Sequence, residues 1–245
     1  KIGSELWRFP VTGSVQVVLY APPLLNENSI FVGDLANKFH QLDAAGGSEL
    51  WSFTQAKGWF QAKAATNGNV IIAPSSDRNV YALNMDGTLK WKFSGEFGFV
   101  AEPLIIGDSV IIAGLDHKLI ALNIENGDLL WETELKGSLI APPAYDAASG
   151  SLFVGSLGKE LLSIDSKTGK RNWSFGDNGE ITAVYATPIL VEDGLIFTDE
   201  SGKVFALDQA TGAVRWTLDA GGETMAGLLR VDDTFVIAVE KGELR

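Results

Sequence analysis

The stretch that decides the fold reads Ala206-Leu207-Asp208-Gln209-Ala210-Thr211-Gly212-Ala213-Val214-Arg215-Trp216. It consists of a short apolar run that ends at Asp208, a turn that contains Gly212, and a second run that ends at Trp216. An Asp side chain can accept hydrogen bonds from backbone N–H groups further along a turn, and glycine tolerates the positive φ that tight turns require. The stretch therefore predicts two β-strands joined by a tight turn.

The same pattern recurs along the whole chain. Six of the seven tryptophans follow one another at spacings of 44, 40, 40, 42 and 43 residues, and a glycine lies four positions before each of them. We name these residues the marker tryptophans and the marker glycines: Trp7, Trp51, Trp91, Trp131, Trp173 and Trp216, with Gly3, Gly47, Gly87, Gly127, Gly169 and Gly212. A fixed period of this length indicates a repeat architecture.

Each repeat has room for four strands. A β-branched run such as Val70–Ile72 or Val110–Ile112 precedes the apolar strand before the glycine, with a polar turn between them. No stretch has a sustained apolar period of 3.6 residues, so no helix is predicted. Four-stranded units of about 40–45 residues are typical of propeller blades. We therefore predict an all-β protein, a β-propeller of four-stranded antiparallel blades, with one domain over residues 1–245.

The two ends of the sequence lie in complementary phases of the repeat. Residues 1–7 correspond to the last turn and fourth strand of a unit, and residues 242–245 fall early in a third strand. We predict six blades, the sixth closed by strand exchange between the N- and C-terminal segments, because this leaves no exposed sheet edge. The alternative is an arc of a larger ring.

Composition excludes several functions. The formal net charge of −12 and the pI of about 4.6 argue against nucleic acid and anionic lipid as partners, since both attract basic surfaces. The absence of cysteine removes disulfides, thiol nucleophiles and Cys-ligated zinc. No apolar run is long enough for a transmembrane helix. A membrane tether, if present, would lie outside this sequence.

Two segments, Asp165–Trp173 and Ala206–Trp216, resemble the pyrroloquinoline-quinone (PQQ)-type repeat, whose signature is roughly A-x-D-x-x-T-G-x-x-x-W. The resemblance covers essentially the whole chain. It implies that the marker tryptophans are structural and dock between adjacent blades, which agrees with the use of a large apolar side chain at a seam. It also implies an extracytoplasmic location, in the periplasm or at the cell surface. The best-known relatives have eight blades, so a six-bladed chain would depart from them.

The resemblance also raises the question of quinone chemistry. Dehydrogenases of that family hold the quinone with a calcium ion, carboxylate and amide ligands and a catalytic Asp, often beside a pair of cysteines. The cysteine pair is absent here, and no ligand set carries over. His40 and His117 lack metal-binding spacing, and no Gly-x-Ser-x-Gly motif occurs. We predict no catalytic residues, no cofactor and no metal ion.

The segments that follow the marker tryptophans vary most between repeats, and variable loops on a fixed scaffold commonly bind partners. They contain the aromatic residues Tyr20, Trp59, Phe60, Phe97, Phe99 and Tyr185. These side chains either belong to the core or form an apolar mouth that grips a protein segment. We predict a non-catalytic protein-interaction scaffold that resembles extracytoplasmic members of the family. The alternatives are a small-ligand or carbohydrate-binding propeller and a degenerate quinoprotein dehydrogenase.

Overall fold

A computed structural model describes residues 3–10, 18–192, 194–232, 234–240 and 242–244. The chain divides into two compact units, Lys1–Ile111 with Leu122–Asp128 and Ile112–Ala121 with Leu129–Arg245. All regular elements in the described residues are β-strands. The same residues contain no helix long and apolar enough to cross a membrane.

The first unit contains two complete four-stranded sheets, in the orders β1-β2-β3-β4 and β5-β6-β7-β8. Their strands are β1 Leu24–Asn26, β2 Ser29–Gly33, β3 Phe39–Asp43, β4 Glu49–Phe53, β5 Ala65–Thr66, β6 Val70–Pro74, β7 Asn79–Asn84 and β8 Leu89–Ser94. A third sheet has the order β12-β11-β10-β9, with β9 Leu104–Ile106, β10 Ser109–Ala113, β11 Lys118–Asn123 and β12 Leu129–Glu134.

The second unit contains two further four-stranded sheets and two short pairs. The sheets comprise β13 Ala144–Asp146, β14 Ser151–Ser156, β15 Glu160–Asp165 and β16 Arg171–Phe175, then β17 Ile189–Val191, β18 Gly194–Thr198, β19 Lys203–Asp208 and β20 Val214–Asp219. The pairs are β21 Leu229–Val231 with β22 Thr234–Val236, and β23 Ala238–Val239 with β24 Glu243–Leu244. This succession of antiparallel sheets confirms the all-β propeller fold. The number of blades and the strand-exchange closure stay predictions, since residues 3–8 form no strand in the described chain.

Burial follows the order of the strands within each sheet. The second and third strands are almost wholly buried, as β6 and β7 illustrate, whereas the fourth strands carry exposed positions. In the first unit Phe31, Phe39, Phe60, Ile71 and Tyr81 belong to one apolar cluster. A second cluster in the other unit joins residues of β14 and β15 to those of β18 and β19. The core therefore lies between neighbouring sheets, as a propeller requires.

A β-bulge precedes the tryptophan in the fourth strand of each sheet for which the pairing of its third and fourth strands is described. Trp91 pairs with Ala82, but the next pair is Leu83 with Leu89, so Lys90 has no partner residue in the ladder. Register shifts occur at the corresponding point in the other sheets, between Gln41 and Leu42, Ser163 and Ile164, and Ala206 and Leu207. A bulge increases the local twist and redirects the following side chain. Here that side chain is the marker tryptophan.

Each marker tryptophan but the last docks on the marker glycine of the following repeat. The ring of Trp51 covers Gly87 so closely that a Cβ on this glycine would lie 2.6 Å from the ring, and its Nε1–H donates to the carbonyl of Met85 at 3.1 Å. The same arrangement joins Trp7 to Gly47 and Ala44, Trp91 to Gly127 and Ile124, Trp131 to Gly169 and Ser166, and Trp173 to Gly212 and Gln209. The five covered glycines have φ between 70° and 84°. Glycine is therefore required twice, by the turn and by the tryptophan.

The structure does not give Trp216 and Gly3 the docking role predicted for them. Trp216 is 45% exposed, and nothing lies within 4 Å of the position that a Cβ would take on Gly3. Leu218, which pairs with Val204 on the same face of β20 as Trp216, is also exposed. The physical reason is that β21–β24 pair only two by two in the described residues, and so do not build a four-stranded sheet whose turn could cover Trp216.

Candidate protein-binding loops

We name the turn that joins the second and third strands of a sheet the central turn. Backbone hydrogen bonds fix each segment that follows a marker tryptophan to a central turn. In the first unit the N–H of Ser76 donates to the carbonyl of Trp59 at 2.9 Å. The same bond runs from Leu35 to Val18, from Leu157 to Ser138, from Glu200 to Ala183 and from Glu240 to Glu223. Segments and central turns therefore lie together in the described residues.

Phe60 and Phe99 belong to the core, so the hypothesis that their rings are exposed for binding is wrong. Both side chains are fully buried. Their N–H groups donate to the carbonyls of Asp34 and Ser75, each at 3.1 Å, which turns the rings inward. The ring of Phe60 lies 5.4 Å from that of Phe39, and a Cβ on Gly33 would come within 2.1 Å of the Phe60 Cβ. The sheet leaves this space for Phe60.

Trp59 and Phe97 remain at the surface, where they are 49% and 59% exposed. Trp59 lies against the central turn of the second sheet, because its N–H donates to the Ser76 Oγ at 2.7 Å. The segment of Phe97 reaches the same turn, through a 2.8 Å hydrogen bond from the Gly95 N–H to the Arg78 carbonyl. Two aromatic side chains from successive segments thus flank one central turn. Their role in binding stays a prediction.

The two tyrosines of the predicted set differ in exposure. Tyr20 is 69% exposed. Tyr185 is half-buried, and its hydroxyl donates to the Glu200 Oε1 at 3.4 Å. Desolvation, followed by the negative charge of Glu200, raises the pKa of the Tyr185 hydroxyl, so this group stays protonated at neutral pH. Tyr20 is available to a partner, whereas Tyr185 is partly occupied by its own neighbour.

The tip of the central turn has a left-handed backbone in every four-stranded sheet. In the second sheet the residue at this position is Arg78, with φ of 72°. The corresponding residues are Asn37, His117, Lys159 and Gly202, with φ of 67°, 67°, 64° and 83°. Glycine, asparagine and histidine are found in this conformation more often than arginine and lysine, which adopt it at a cost. Two of the five tips, Arg78 and Lys159, therefore carry a basic residue where the backbone does not favour one.

Hydrogen bonds organise the charges around Arg78. The Asp77 carboxylate accepts the Lys57 N–H at 2.7 Å, the Tyr81 hydroxyl at 2.7 Å and the Asn79 N–H at 3.1 Å. Desolvation by itself would raise the pKa of Asp77, but these bonds outweigh it and the pKa is lowered. Desolvation and the Asp77 charge raise the pKa of Tyr81. The charged Asp77 carboxylate thus stabilises the turn, whereas Lys57 and Arg78 are exposed.

Sequence reasoning missed Arg78 and Lys57. The signal was present, because a polar turn with a basic residue at the position of Gly202 and Asn37 recurs in successive repeats. The sequence alone does not show that the backbone is left-handed at this position. It therefore does not show that a basic residue there is unusual.

The two histidines have structural surroundings. His40 is buried between two carboxylates, with its Nδ1 2.9 Å from Glu49 Oε1 and its Nε2 3.2 Å from Asp34 Oδ2, and the ring of Phe9 packs against it. His117 occupies a turn tip. The described residues contain no group of three or more His, Cys, Asp or Glu side chains placed to hold a metal ion.

A cavity of about 840 Å³ lies in the second unit and is lined mainly by polar residues of strands and turns. Two of its carboxylates are used by their own turns: Asp165 accepts the Thr168 N–H at 2.8 Å, and Asp208 accepts the Thr211 N–H at 3.0 Å and binds Arg215 at 2.8 Å. No aromatic side chain lines it. This cavity lacks the ring of aromatic residues that we would expect of a carbohydrate site.

Comparison with known families gives a consistent result. The family described as "Outer membrane protein assembly factor BamB" matches residues 1–96 and 95–241. Outer membrane protein assembly factor BamB of Bordetella pertussis is 24% identical over 244 residues, covering 95% of this chain and 62% of the relative. The protein of the same name from Escherichia coli K12 is 27% identical over 222 residues, covering 81% of this chain and 56% of the relative. The chain therefore spans about three fifths of the length of the curated relatives that it matches.

The fold has a solved counterpart. The crystal structure of BamB from Moraxella catarrhalis superposes with a TM-score of 0.79 at 17% identity, covering 93% of this chain and 76% of that one. The superposition shows a shared fold, and the propeller assignment rests on it together with the sheet order.

Proposed function

Because the chain belongs to the outer membrane protein assembly factor BamB family, we propose that it is a non-catalytic scaffold that supports outer membrane protein assembly by binding another protein. The relatives are named for this role, and most of this chain aligns with them. The proposal places the protein outside the cytoplasm, where outer membrane proteins are assembled.

One observation carries the binding role. Trp59 and Phe97 are exposed on segments that the backbone fixes to one central turn, while their neighbours Phe60 and Phe99 anchor the same segments in the core. An aromatic residue held at the surface by a rigid scaffold gives a large contact area at little cost in conformational entropy. Such residues supply contact area for a partner, whereas their own side chains carry no nucleophile or base.

A deletion experiment tests the proposal. The gene is removed from its host, and the abundance of β-barrel proteins in the purified outer membrane is measured by quantitative mass spectrometry. We expect lower abundance, with recovery when the unaltered protein is supplied again. Unchanged abundance in the deletion strain would rule out the assembly role. A Trp59→Ala/Phe97→Ala variant that restores abundance fully would keep the role but exclude these loops from it.

A further inference from the structure

We propose that Trp59, Arg78 and Phe97, with Lys57 beside them, form a docking patch for an acidic protein segment that carries apolar side chains between its carboxylates. The inference rests on the proposed function, since it names the chemistry of the partner at the same loops. We refer to these four residues as the cationic–aromatic patch. All four lie in the first unit and are exposed.

Backbone contacts on both sides of Arg78 assemble the patch. On one side the Lys57 N–H donates to the Asp77 carboxylate, and Gly58 approaches the turn so closely that a Cβ there would lie 2.5 Å from the Asp77 nitrogen. On the other side the Gly95 N–H donates to the Arg78 carbonyl. The segment of Trp59 and the segment of Phe97 therefore lie on the two sides of the turn tip. Hydrogen bonds of the backbone, rather than contacts between flexible side chains, hold them there.

The local charge runs against that of the whole molecule. The protein has a formal net charge of −12, yet Lys57 and Arg78 have no side-chain ion pair among the described residues. The nearest carboxylate in sequence, Asp77, accepts hydrogen bonds from its own turn. Glu96, which precedes Phe97 in the sequence, carries the opposite charge and already has an interaction partner. Two cations beside two aromatic rings complement carboxylates alternating with apolar groups.

Backbone strain at Arg78 is a second, independent observation. Arginine occupies a left-handed position that Asn37, His117, Lys159 and Gly202 fill in the other four-stranded sheets, so the fold has no need of arginine there. Strained residues that the fold does not require are a recognised mark of functional sites. A guanidinium at the turn tip is explained if it meets a carboxylate of a partner, because arginine binds carboxylates with two parallel hydrogen bonds.

A membrane surface is the other class of partner that aromatic and basic residues could meet. An anionic membrane is large, so it would be repelled by the net negative charge of the whole protein. A short acidic segment interacts mainly with the nearby cations, because salt screens the more distant charges. Charge complementarity therefore favours the acidic protein segment.

The test measures peptide binding by fluorescence anisotropy with the full chain. The probe is a fluorescein-labelled peptide of sequence Gly-Glu-Phe-Asp-Glu-Phe-Asp-Gly, and its counterpart has Lys at every acidic position. We expect the acidic probe to bind and the basic one to bind at least about tenfold more weakly, with an affinity for the acidic probe that falls as salt rises. Vesicles of phosphatidylglycerol and phosphatidylcholine form the third arm.

Variants then assign the binding to the patch. Arg78→Gly and Trp59→Ala should each weaken binding of the acidic probe about tenfold, as expected of central contact residues. Lys170→Gln removes an equally exposed cation from a turn of the fourth sheet and should change the affinity less than about twofold. Thermal melts of each variant confirm that the fold is retained.

Each result decides the matter. No binding of the acidic probe, equal binding of both probes, or equal losses in Arg78→Gly and Lys170→Gln would overturn the docking patch. Vesicle binding that needs Trp59 and Arg78, without peptide binding, would replace it with a membrane surface. If the deletion strain loses outer membrane proteins but the probe does not bind, only this inference fails. If the probe binds but the deletion strain is normal, the proposed assembly role fails instead.

Discussion

A buried tryptophan needs a flat apolar surface for its ring and an acceptor for its N–H group. The repeat supplies both from one turn, since the marker glycine leaves room for the ring and a carbonyl two or three residues earlier accepts the Nε1–H. The same glycine has the positive φ that closes the turn. The tryptophan of one repeat is thereby linked to the glycine of the following repeat, which explains why glycine and tryptophan recur together.

Removing one docked tryptophan should be costly. Trp131 is 8% exposed and lies on Gly169, whereas Trp216 is 45% exposed. Trp131→Ala should lower the free energy of unfolding by about 3–5 kcal/mol through the cavity and the lost contacts. Trp216→Ala is the matched control and should cost about 1 kcal/mol or less. Chemical denaturation measures both, and similar losses in the two variants would contradict the docking assignment.

Arg78 should be a residue that the fold tolerates rather than needs. Its left-handed backbone costs about 1–2 kcal/mol for a residue with a Cβ, and glycine removes that cost while losing about 0.5–1 kcal/mol in chain entropy. Arg78→Gly should therefore leave stability unchanged or raise it by about 0.5–1 kcal/mol. Arg78→Ala removes the same charge but keeps the Cβ, so it should be less stable than Arg78→Gly. Equal melting temperatures for the two variants would show that the turn tip is unstrained.

At the scale of the element, the segment between two sheets serves the core and the surface with adjacent residues. Trp59 faces solvent, while Phe60 packs into the cluster of Phe39 and Tyr81. Backbone hydrogen bonds from Ser76 to Trp59 and from Phe60 to Asp34 hold the two residues in these places. A segment held in this way can change its outward residue without disturbing its inward one.

Adjacent substitutions should separate these two roles. Phe60→Ala should lower the free energy of unfolding by about 3–5 kcal/mol, because a fully buried ring leaves a cavity. Trp59→Ala should change stability by about 0.5 kcal/mol and weaken partner binding instead. Denaturation curves and binding curves on the same preparations measure both effects. A strongly destabilised Trp59→Ala variant would place Trp59 in the core.

The sequence predicted the elements well because the strand pattern and the Gly–Trp spacing are local signals. It could not distinguish Trp59 from Phe60, because both are large aromatic residues in a loop and only the hydrogen bonds to the neighbouring sheet decide which one turns inward. The bulge before each tryptophan was invisible for a similar reason, since it depends on the partner strand. The sequence therefore predicted the segments that carry the site. It did not separate the exposed residues Trp59 and Phe97 from the buried residues Phe60 and Phe99.

At the scale of the whole molecule, acidic side chains support the turns of several sheets. The Arg215 guanidinium and then the Thr211 hydroxyl lower the pKa of Asp208 to about 2, and the Thr168 hydroxyl is the first cause of the lowered pKa of Asp165. The pKa values of Asp86 and Asp146 are also lowered, by hydrogen bonds led by Thr88 and Ser149. The net charge of −12 thus includes carboxylates with a structural role in their ionised form.

Stability should consequently fall in acid. A carboxyl whose pKa is lower in the folded protein than in the unfolded chain stabilises the fold above the unfolded value, near 3.8 for Asp, and that contribution is lost as the pH falls toward the folded value, about 2 for Asp208. Urea midpoints should therefore drop between pH 5 and pH 2, rather than on raising the pH from 5 to 7. In Arg215→Gln the pKa of Asp208, followed by NMR, should rise toward 3.8. An unchanged Asp208 pKa in that variant would exclude the guanidinium as the main cause.

The bulge before each marker tryptophan also bears on how the repeat can change in length. Lys90 stands outside the ladder, between the pairs Leu83–Leu89 and Ala82–Trp91. Its deletion would leave both pairs matched, whereas deletion of a neighbour within the ladder would shift every later pair and reverse the face of each side chain. The repeat thus contains one position where the loss of a residue spares the register; at Lys90 it would change the direction of the tryptophan side chain and remove the ion pair with Glu125. Variation in repeat length should be tolerated at this point and in the connecting segments, and eliminated elsewhere in the sheet.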